Sequence, residues 1–170
     1  MQKNSRNVIL TGMPGSGKTS TGRELARILD CDFLDLDEII EKKYGKISNI
    51  FKNKGENHFR ELETKELKNL EKQENFVLSL GGGTVLKDEN IKILKKLGRI
   101  FYLETRAETI FERIKNETHR PLLNTPDPKK TIEETLKARQ EKYEKSGEKI
   151  KTDNKSPKET AGEIYEKLMR

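Results

Sequence analysis

The amino-acid sequence predicts an α/β fold with three layers (α/β/α), in which helices cover both faces of a five-stranded parallel sheet. Short β-like runs alternate with helical patterns along nearly the whole chain of 170 residues. Such alternation is typical of parallel strands joined by right-handed helical crossovers. Ligands of these folds bind at the carboxyl ends of the strands, so we expect the functional residues there.

The expected elements follow from apolar periodicity and from turn residues. The strands are expected at residues 7–11, 33–36, 76–80, 99–103 and 149–152. The helices are expected at residues 18–29, 38–44, 57–72, 88–97, 106–115, 129–145 and 158–169.

Two segments are predicted to be insertions on this core. Residues 39–72 carry two successive helical pieces between the second and third strands. Residues 115–128 hold three of the five prolines and little apolar periodicity, which favours a lid, with a disordered surface excursion as the alternative. The chain is long enough for one domain, residues 1–170. The core is expected at residues 1–38, 73–114 and 129–170. The substrate-binding insertion is expected at residues 39–72, and the lid at residues 115–128.

The sequence GMPGSGKT at residues 12–19 fits the phosphate-loop pattern G-x-x-x-x-G-K-[ST] between an expected strand and an expected helix. Gly12, Gly15 and Gly17 can adopt backbone angles closed to other residues, so that successive N–H groups turn inward and form a nest for phosphate oxygens. The positive end of the following helix points at the same place. An accidental glycine-rich turn is the alternative, and the flanking strand and helix count against it.

Polar side chains that suit a metal and a hydroxylated ligand follow. Lys18 supplies a mobile cation for the β and γ phosphates, and the Thr19 hydroxyl is placed to hold Mg²⁺. Asp35 and Asp37 lie two residues apart at the carboxyl end of the second strand, and residues two apart in a strand point to the same side, so we expect both carboxylates to face one cleft. One could hold Mg²⁺ through water while the other accepts from a substrate hydroxyl, although Asp37 is also a good helix N-cap. The third strand ends without an acidic residue, which leaves Asp35 as the best metal carboxylate.

The insertion contains a candidate anion clamp. Arg60 offers a planar guanidinium suited to a carboxylate, and Glu63, one helical turn later, could orient it. The alternative is an exposed arginine paired with Glu56 or Glu63. Phe51 and Phe59 are either ligand walls or core residues.

Three consecutive glycines, Gly81, Gly82 and Gly83, follow the third strand. They suggest that a ligand approaches the backbone too closely for any side chain, whereas a tight turn would need only one or two glycines.

Composition narrows the class of ligand. The chain has 35 Lys and Arg residues against 29 Asp and Glu residues, a formal charge of +6, but the two signs are interleaved along predicted helices. This pattern argues against nucleic acid and fits small anionic substrates. No apolar stretch approaches a membrane span, and residues 1–6 lead into the first strand without a signal-peptide pattern, so we expect a cytoplasmic protein. The single cysteine, Cys31, excludes an intramolecular disulfide and is expected to be a small buried hydrophobe, and neither His58 nor His119 is expected to be catalytic.

Together these motifs resemble the shikimate kinase family over residues 7–168. The matching segments are GMPGSGKT at 12–19, DLD at 35–37, FRELE at 59–63, GGG at 81–83, RPL at 120–122 and RQEKY at 139–143. The resemblance implies a strand order of 2-3-1-4-5. The sequence has no obvious long apolar stripe for a dimer, so we expect a monomer. The resemblance also implies transfer of the ATP γ-phosphoryl group to the 3-hydroxyl of shikimate, with Mg²⁺ as cofactor, in aromatic amino acid biosynthesis. The alternatives are a gluconate or other small-molecule kinase, a nucleoside monophosphate kinase and a non-catalytic nucleotide-binding protein.

The resemblance also implies roles for individual residues. The implied ATP-binding residues are Gly12, Gly15, Ser16, Gly17, Lys18, Thr19, Ser20, Arg113, Arg120 and Lys155. The implied shikimate-binding residues are Asp37, Phe51, Phe59, Arg60, Glu63, Gly81, Gly82, Gly83 and Arg139. Thr19 and Asp35 would hold the metal, and Lys18, Asp37 and Arg120 would be catalytic. Lys155 stands where an arginine is common in the family.

Overall fold

The computed structural model describes residues 7–170 as an α/β domain with a five-stranded parallel sheet. The expectation for residues 1–6 lies outside the described residues. The strands are β1 (Val8–Thr11), β2 (Asp32–Asp35), β3 (Phe76–Ser79), β4 (Arg99–Glu104) and β5 (Glu148–Lys151). The helices are α1 (Lys18–Leu29), α2 (Leu36–Tyr44), α3 (Ile47–Lys54), α4 (Glu56–Asn69), α5 (Asp88–Leu97), α6 (Ala107–Ile114), α7 (Pro128–Ser146) and α8 (Pro157–Leu168).

The strand order is β2-β3-β1-β4-β5, and every neighbouring pair is parallel, which confirms the predicted sheet. β1 is central and fully buried, and Leu10 pairs with Ser79 on one side and with Phe101 on the other. A parallel sheet needs apolar cover on both faces, and the short apolar runs of β1, β3 and β4 meet that need.

Alternate residues of β1 face two different hydrophobic clusters. Val8 and Leu10 belong to the cluster formed with α1 and α8, whereas Ile9 belongs to the cluster formed with α4, α5, α6 and α7. Because successive strand residues point to opposite faces, this division confirms the three-layer arrangement. Cys31 lies partly exposed at the edge of the first cluster, so the expectation that it is buried is wrong.

The segment between β2 and β3 is where expectation and structure differ most. It contains three helices rather than two, because α3 lies between α2 and α4. Gly45 and Gly55 end α2 and α3 with φ angles of 91° and 84°, which L-residues with a Cβ rarely adopt. These two glycines divide the segment into three helices.

The end of β2 also differs from the expectation. β2 stops at Asp35, whose side chain caps α2 by accepting from the Glu38 N–H at 3.2 Å. Asp37 therefore lies in the first turn of α2. The expectation that it continues the strand is wrong, and so is the alternative that it caps the helix. Both fail because Asp35, two residues earlier, is itself the N-cap and ends the strand.

The segment between α6 and α7, residues 115–127, contains one short 3₁₀ turn at Pro121–Leu123. α7 begins at Pro128, and the Asp127 side chain caps it by accepting from the Lys130 N–H. None of the helices in residues 7–170 combines the length and the apolar character needed to cross a membrane.

Candidate active site

A cavity of about 990 Å³ lies where β1, β2 and β3 end, between the phosphate loop, the inserted helices and the lid segment. Seventeen of the predicted site residues line it. They are Gly15, Ser16, Gly17, Lys18, Thr19, Ser20, Asp35, Asp37, Phe51, Phe59, Arg60, Gly81, Gly82, Arg113, Arg120, Arg139 and Lys155. The cavity therefore joins the predicted nucleotide and acceptor residues in one space.

The phosphate loop requires its glycines. Gly12, Gly15 and Gly17 have φ angles of 149°, 82° and 91°. A Cβ at Gly12 would lie 2.8 Å from the carbonyl oxygen of Leu103, and one at Gly15 would lie 2.7 Å from a methyl carbon of Ile114. The loop thus adopts, immediately before α1, a glycine-dependent conformation of the kind that forms a phosphate nest.

Lys18 is held at the centre of the loop. Its Nζ donates to the carbonyl oxygens of Gly12 and Met13, at 2.9 Å each, and the residue is only 8% exposed. Burial lowers the pKa of this ammonium group to about 8, opposed by the nearby carboxylates of Asp37 and Asp35. The desolvated cation is suited to the phosphates of a nucleotide.

Asp37 also lines the cavity, next to the glycine loop. Burial raises the pKa of its carboxyl group to about 6, and the neighbouring charges of Asp35 and Glu63 act in the same direction. Its Oδ1 is buried and has no hydrogen-bond partner among the described residues. A buried acceptor of this kind is costly unless a ligand donates to it.

Arg60 and Arg139 lie against neighbouring glycines of the triple-glycine loop. A Cβ at Gly83 would lie 2.3 Å from Arg60 Nη2, and one at Gly82 would lie 3.1 Å from Arg139 Nη1. The two guanidinium groups, on α4 and α7, therefore flank one short stretch of backbone at the cavity. A side chain in place of either glycine would occupy the space of a guanidinium group. Packing against the two arginines therefore explains why glycine stands at these positions.

The donor set for a divalent cation is modest. Thr19 Oγ1 donates to Asp35 Oδ2 at 3.3 Å, so a hydroxyl and a carboxylate meet at the cavity edge. In residues 7–170 no group of three or more His, Cys, Asp or Glu side chains could hold a metal. Mg²⁺ typically takes one or two protein oxygens together with substrate phosphates and water, and Thr19 and Asp35 fit that pattern.

The three remaining cations expected on the nucleotide side have local partners, and Lys155 Nζ donates to Glu163 Oε2 at 2.5 Å. Arg113 donates from Nη1 to the Ser16 carbonyl at 3.2 Å and from Nη2 to the Thr152 carbonyl at 3.0 Å, which links α6 to the phosphate loop. Arg120 donates from Nε to Glu117, three residues earlier in the lid segment.

Known proteins resemble this chain over nearly its full length. The family model described as "Shikimate kinase" matches residues 14–169. The shikimate kinase of Thermodesulfovibrio yellowstonii is 44% identical over 167 residues, 96% of each chain, and that of Clostridium botulinum is 46% identical over 143 residues, 82% of this chain and 84% of that one. The solved shikimate kinase from Acinetobacter baumannii, in complex with shikimate, has a TM-score of 0.90 and 35% identity, and covers 96% of this chain and 92% of that one.

The chain belongs to the shikimate kinase family. Enzymes of this family are ATP-dependent kinases that phosphorylate a hydroxyl group of shikimate. The solved shikimate kinase from Aquifex aeolicus, with a TM-score of 0.81 and 37% identity over 96% of both chains, has the same fold. A gluconokinase from Sinorhizobium meliloti, at 16% identity and a TM-score of 0.63, shares the fold alone.

Three residues that were expected at the site of this family member do not line the cavity. Gly12 and Gly83 lie beside it and shape its walls through the close approaches described above. Glu63 is fully buried behind Arg60, so the expectation that it lines the acceptor pocket is wrong. Its Oε1 accepts from Arg60 Nη1 at 2.6 Å, which makes it a partner of the arginine.

Arg60 has features of both interpretations drawn from the sequence, a residue of an anion clamp and an arginine paired with glutamates. It pairs with Glu63 and, at 3.3 Å, with Glu56, as the alternative interpretation stated. Its side chain is nevertheless only 19% exposed and lines the cavity, so it is not an ordinary surface arginine. Phe59 is buried and Phe51 is 38% exposed, with ring centroids 5.0 Å apart, so the two phenylalanines form one aromatic wall.

Sequence reasoning missed several residues that line the cavity. Lys46, Ile47 and Ser48 belong to the start of α3, which was not predicted, and Glu117 and His119 belong to the lid segment. His119 Nε2 lies 3.9 Å from Glu117. Glu117 and His119 are close to Arg120 in the sequence, but nothing else in the pattern distinguishes them from surface residues.

Proposed function

We propose that this chain transfers the γ-phosphoryl group of ATP to the 3-hydroxyl of shikimate, giving shikimate 3-phosphate and ADP. The observation that carries the proposal is the placement of Arg60 and Arg139 around the triple-glycine loop, in the same cavity as Lys18 and Asp37. Membership of the shikimate kinase family supports it further. The cavity volume of about 990 Å³ is large enough for a nucleotide and a small acceptor together.

The acceptor is bound through its carboxylate. Two guanidinium groups in one cleft repel each other unless an anion lies between them, and their planar geometry suits a carboxylate. Phe51 and Phe59 lie on the same side as Arg60 and provide an apolar wall for the ring. An anionic, hydroxylated ring therefore matches this half of the cavity.

Asp37 orients the reacting hydroxyl. Its unpartnered Oδ1 accepts the hydrogen bond of the 3-hydroxyl and then its proton. The hydroxyl oxygen forms the new bond to the γ-phosphorus while the bond to the bridging oxygen breaks, and ADP leaves. A carboxylate with a pKa near 6 is unprotonated at neutral pH and can perform this role.

The nucleotide phosphates lie on main-chain N–H groups of the phosphate loop, residues 12–19, and near Ser20. Lys18 and Arg120 neutralise the charge that develops on the transferring group, while Arg113 and Lys155 contact the nucleotide. Thr19, with Asp35 through water, would hold Mg²⁺, which when bound neutralises phosphate charge and aligns the leaving group. Closure of residues 115–128 over the phosphates excludes water.

A coupled assay that measures ADP release tests the proposal. ATP and Mg²⁺ are supplied with shikimate, gluconate or a nucleoside monophosphate as acceptor. We expect turnover with shikimate and none above background with the other acceptors. Turnover with gluconate or a nucleoside monophosphate, and none with shikimate, would contradict the proposal. No ADP release with any acceptor would favour a non-catalytic nucleotide-binding protein.

The quaternary state and location belong to the same proposal. We propose that the protein is cytoplasmic. We also propose that it is a monomer, since one chain carries every residue invoked above. Light scattering coupled to size-exclusion chromatography, at enzyme concentrations used for the assay, tests the monomer directly. A mass near 39 kDa, twice the 19.7 kDa of the chain, would contradict it.

A further inference from the structure

A buried hydrogen-bond network runs from the acceptor arginine into the interior of the domain. Arg60 donates to Glu63, and Thr84 Oγ1 donates to the other oxygen of the same carboxylate. Glu63 and Thr84 are both fully buried. The geometry of the acceptor clamp therefore depends on Thr84, the first residue after the triple-glycine loop.

Asn90 fixes the position of Thr84. Asn90 Nδ2 donates to the Thr84 carbonyl oxygen at 2.9 Å, and its Oδ1 accepts from Thr64 Oγ1 at 2.7 Å. The carbonyl of Thr84 can only accept, so the orientation of the amide is determined by its surroundings. Asn90 is fully buried and Thr64 is 6% exposed.

The network connects three elements that carry the acceptor site. Thr64 lies on α4, one turn after Arg60, and its hydroxyl lies 3.1 Å from the Arg60 carbonyl oxygen. Thr84 lies next to Gly83, and its N–H donates to the Gly81 carbonyl at 3.3 Å, which closes the glycine turn. Asn90, from α5, is bonded to both sides at once.

We propose that Asn90 is a positioning residue for the acceptor, which keeps the Arg60 guanidinium at the correct distance from the triple-glycine loop. Asn90 does not line the cavity and touches no substrate. Loss of its amide would leave the Thr84 carbonyl buried without this partner, so Thr84 would shift to find another. The Thr64 hydroxyl would lose one contact but keep the Arg60 carbonyl at 3.1 Å and Lys87 Nζ at 3.2 Å. Because Thr84 holds Glu63 and Glu63 holds Arg60, the shift reaches the carboxylate clamp. This inference rests on the proposed function.

Asn90→Ala tests the proposal through the difference between two Michaelis constants. We expect the KM for shikimate to rise about tenfold, because the loss of roughly one hydrogen bond corresponds to that change in affinity. The KM for ATP should stay within about twofold of the wild-type value. The turnover number should change less than the KM for shikimate, since the clamp binds the ground state and the transition state alike. Measurements are made well below the melting temperature of the variant.

The chain offers a matched control in Asn7, a second buried asparagine. Asn7 is 3% exposed, and its side chain donates to the Leu97 carbonyl at 3.0 Å and accepts from the Phe76 N–H at 3.3 Å. It precedes β1, at the end of the sheet opposite the cavity. Asn7→Ala should lower the melting temperature but leave both Michaelis constants unchanged.

The outcomes separate the inference from the proposed function. Equal changes in Asn90→Ala and Asn7→Ala, or equal changes in the two Michaelis constants of Asn90→Ala, would overturn the positioning role. Absence of shikimate turnover in the wild-type chain would refute the proposed function, and the inference with it.

If Asn90→Ala does not fold, Thr64→Val removes one donor of the network at similar shape. It should raise the KM for shikimate about threefold, a fraction of one hydrogen bond, and an unchanged value would overturn the proposal.

Discussion

Two arginines of the cavity are held in very different ways. Arg60 is 19% exposed in its side chain, lies on the long helix α4, and is bonded to the buried carboxylate of Glu63. Arg120 lies in a segment with one 3₁₀ turn, and its acidic partner in the described structure is Glu117, which is itself partly exposed. The acceptor arginine is therefore held by a buried carboxylate, whereas Arg120 lies in the segment that we propose closes as a lid. Preorganisation favours binding, and mobility permits closure after both substrates have entered.

The largest expected effect belongs to the mobile side. Arg120→Ala should lower the turnover number by about 10³-fold, because an arginine that meets the developing phosphoryl charge contributes on that scale. The KM for shikimate should change little. Steady-state kinetics measure both constants. The matched control is Arg99→Ala, since Arg99 pairs with Glu148 at the other end of the sheet and should leave the kinetics unchanged. A large rise in the KM for shikimate in Arg120→Ala would remove the distinction between the two sides.

The fixed side should give a different kinetic signature. Arg60→Ala and Arg139→Ala should each raise the KM for shikimate about 100-fold, because loss of one charge-assisted pair costs roughly 3 kcal/mol. The KM for ATP should stay nearly constant in both variants. Equal losses for the two substrates would contradict the division of the cavity into an acceptor half and a nucleotide half.

Proteolysis compares the mobility of the two regions directly. Trypsin should cut after Lys115, whose side chain is 42% exposed at the start of the lid segment, before it cuts within α4. A non-hydrolysable ATP analogue at about nine times its dissociation constant should slow this cut about tenfold if the closed lid is resistant. Mass spectrometry of the first fragments identifies the site. First cleavage at Lys65 or Lys68 of α4 would show that the insertion is the looser region.

The smallest expected effect concerns the partner of the mobile arginine. Glu117→Gln removes the charge that competes with nucleotide phosphate for Arg120, so the KM for ATP should fall about threefold, in line with the modest value of an exposed ion pair. Kinetics at low ionic strength measure it. A rise in the KM for ATP would mean that Glu117 instead presents Arg120 to the nucleotide.

Much of the fold could be predicted because its signals are local. The phosphate loop has its required glycines between a buried strand and a helix, and the apolar runs of β1, β3 and β4 are short and distinct. α3 could not be predicted, since its eight residues hold only Ile47, Ile50 and Phe51 as apolar positions and lie between two glycines. The boundary between β2 and α2 was wrong because Asp35 and Asp37 are both suitable caps, and only the packing selects Asp35.

The site shows the same limit. Lys18, Arg60 and Arg139 could be found because each belongs to a short recognisable segment. The support behind Arg60 could not be found, since Thr84 and Asn90 are 21 and 26 residues from their partners Glu63 and Thr64. Polar residues at such separations meet only through the packing of α4 and α5 beside the glycine loop.

A crystal structure of the ternary complex, with shikimate and a non-hydrolysable ATP analogue, would show whether Arg60 and Arg139 grip one carboxylate beside the γ-phosphate. The measured quantities are the distances from the shikimate carboxylate oxygens to the guanidinium nitrogens of Arg60 and Arg139. We expect about 2.8 Å to both, with the 3-hydroxyl facing Asp37 and the γ-phosphate. A carboxylate bound away from either arginine, or a 3-hydroxyl directed away from the nucleotide, would contradict this expectation.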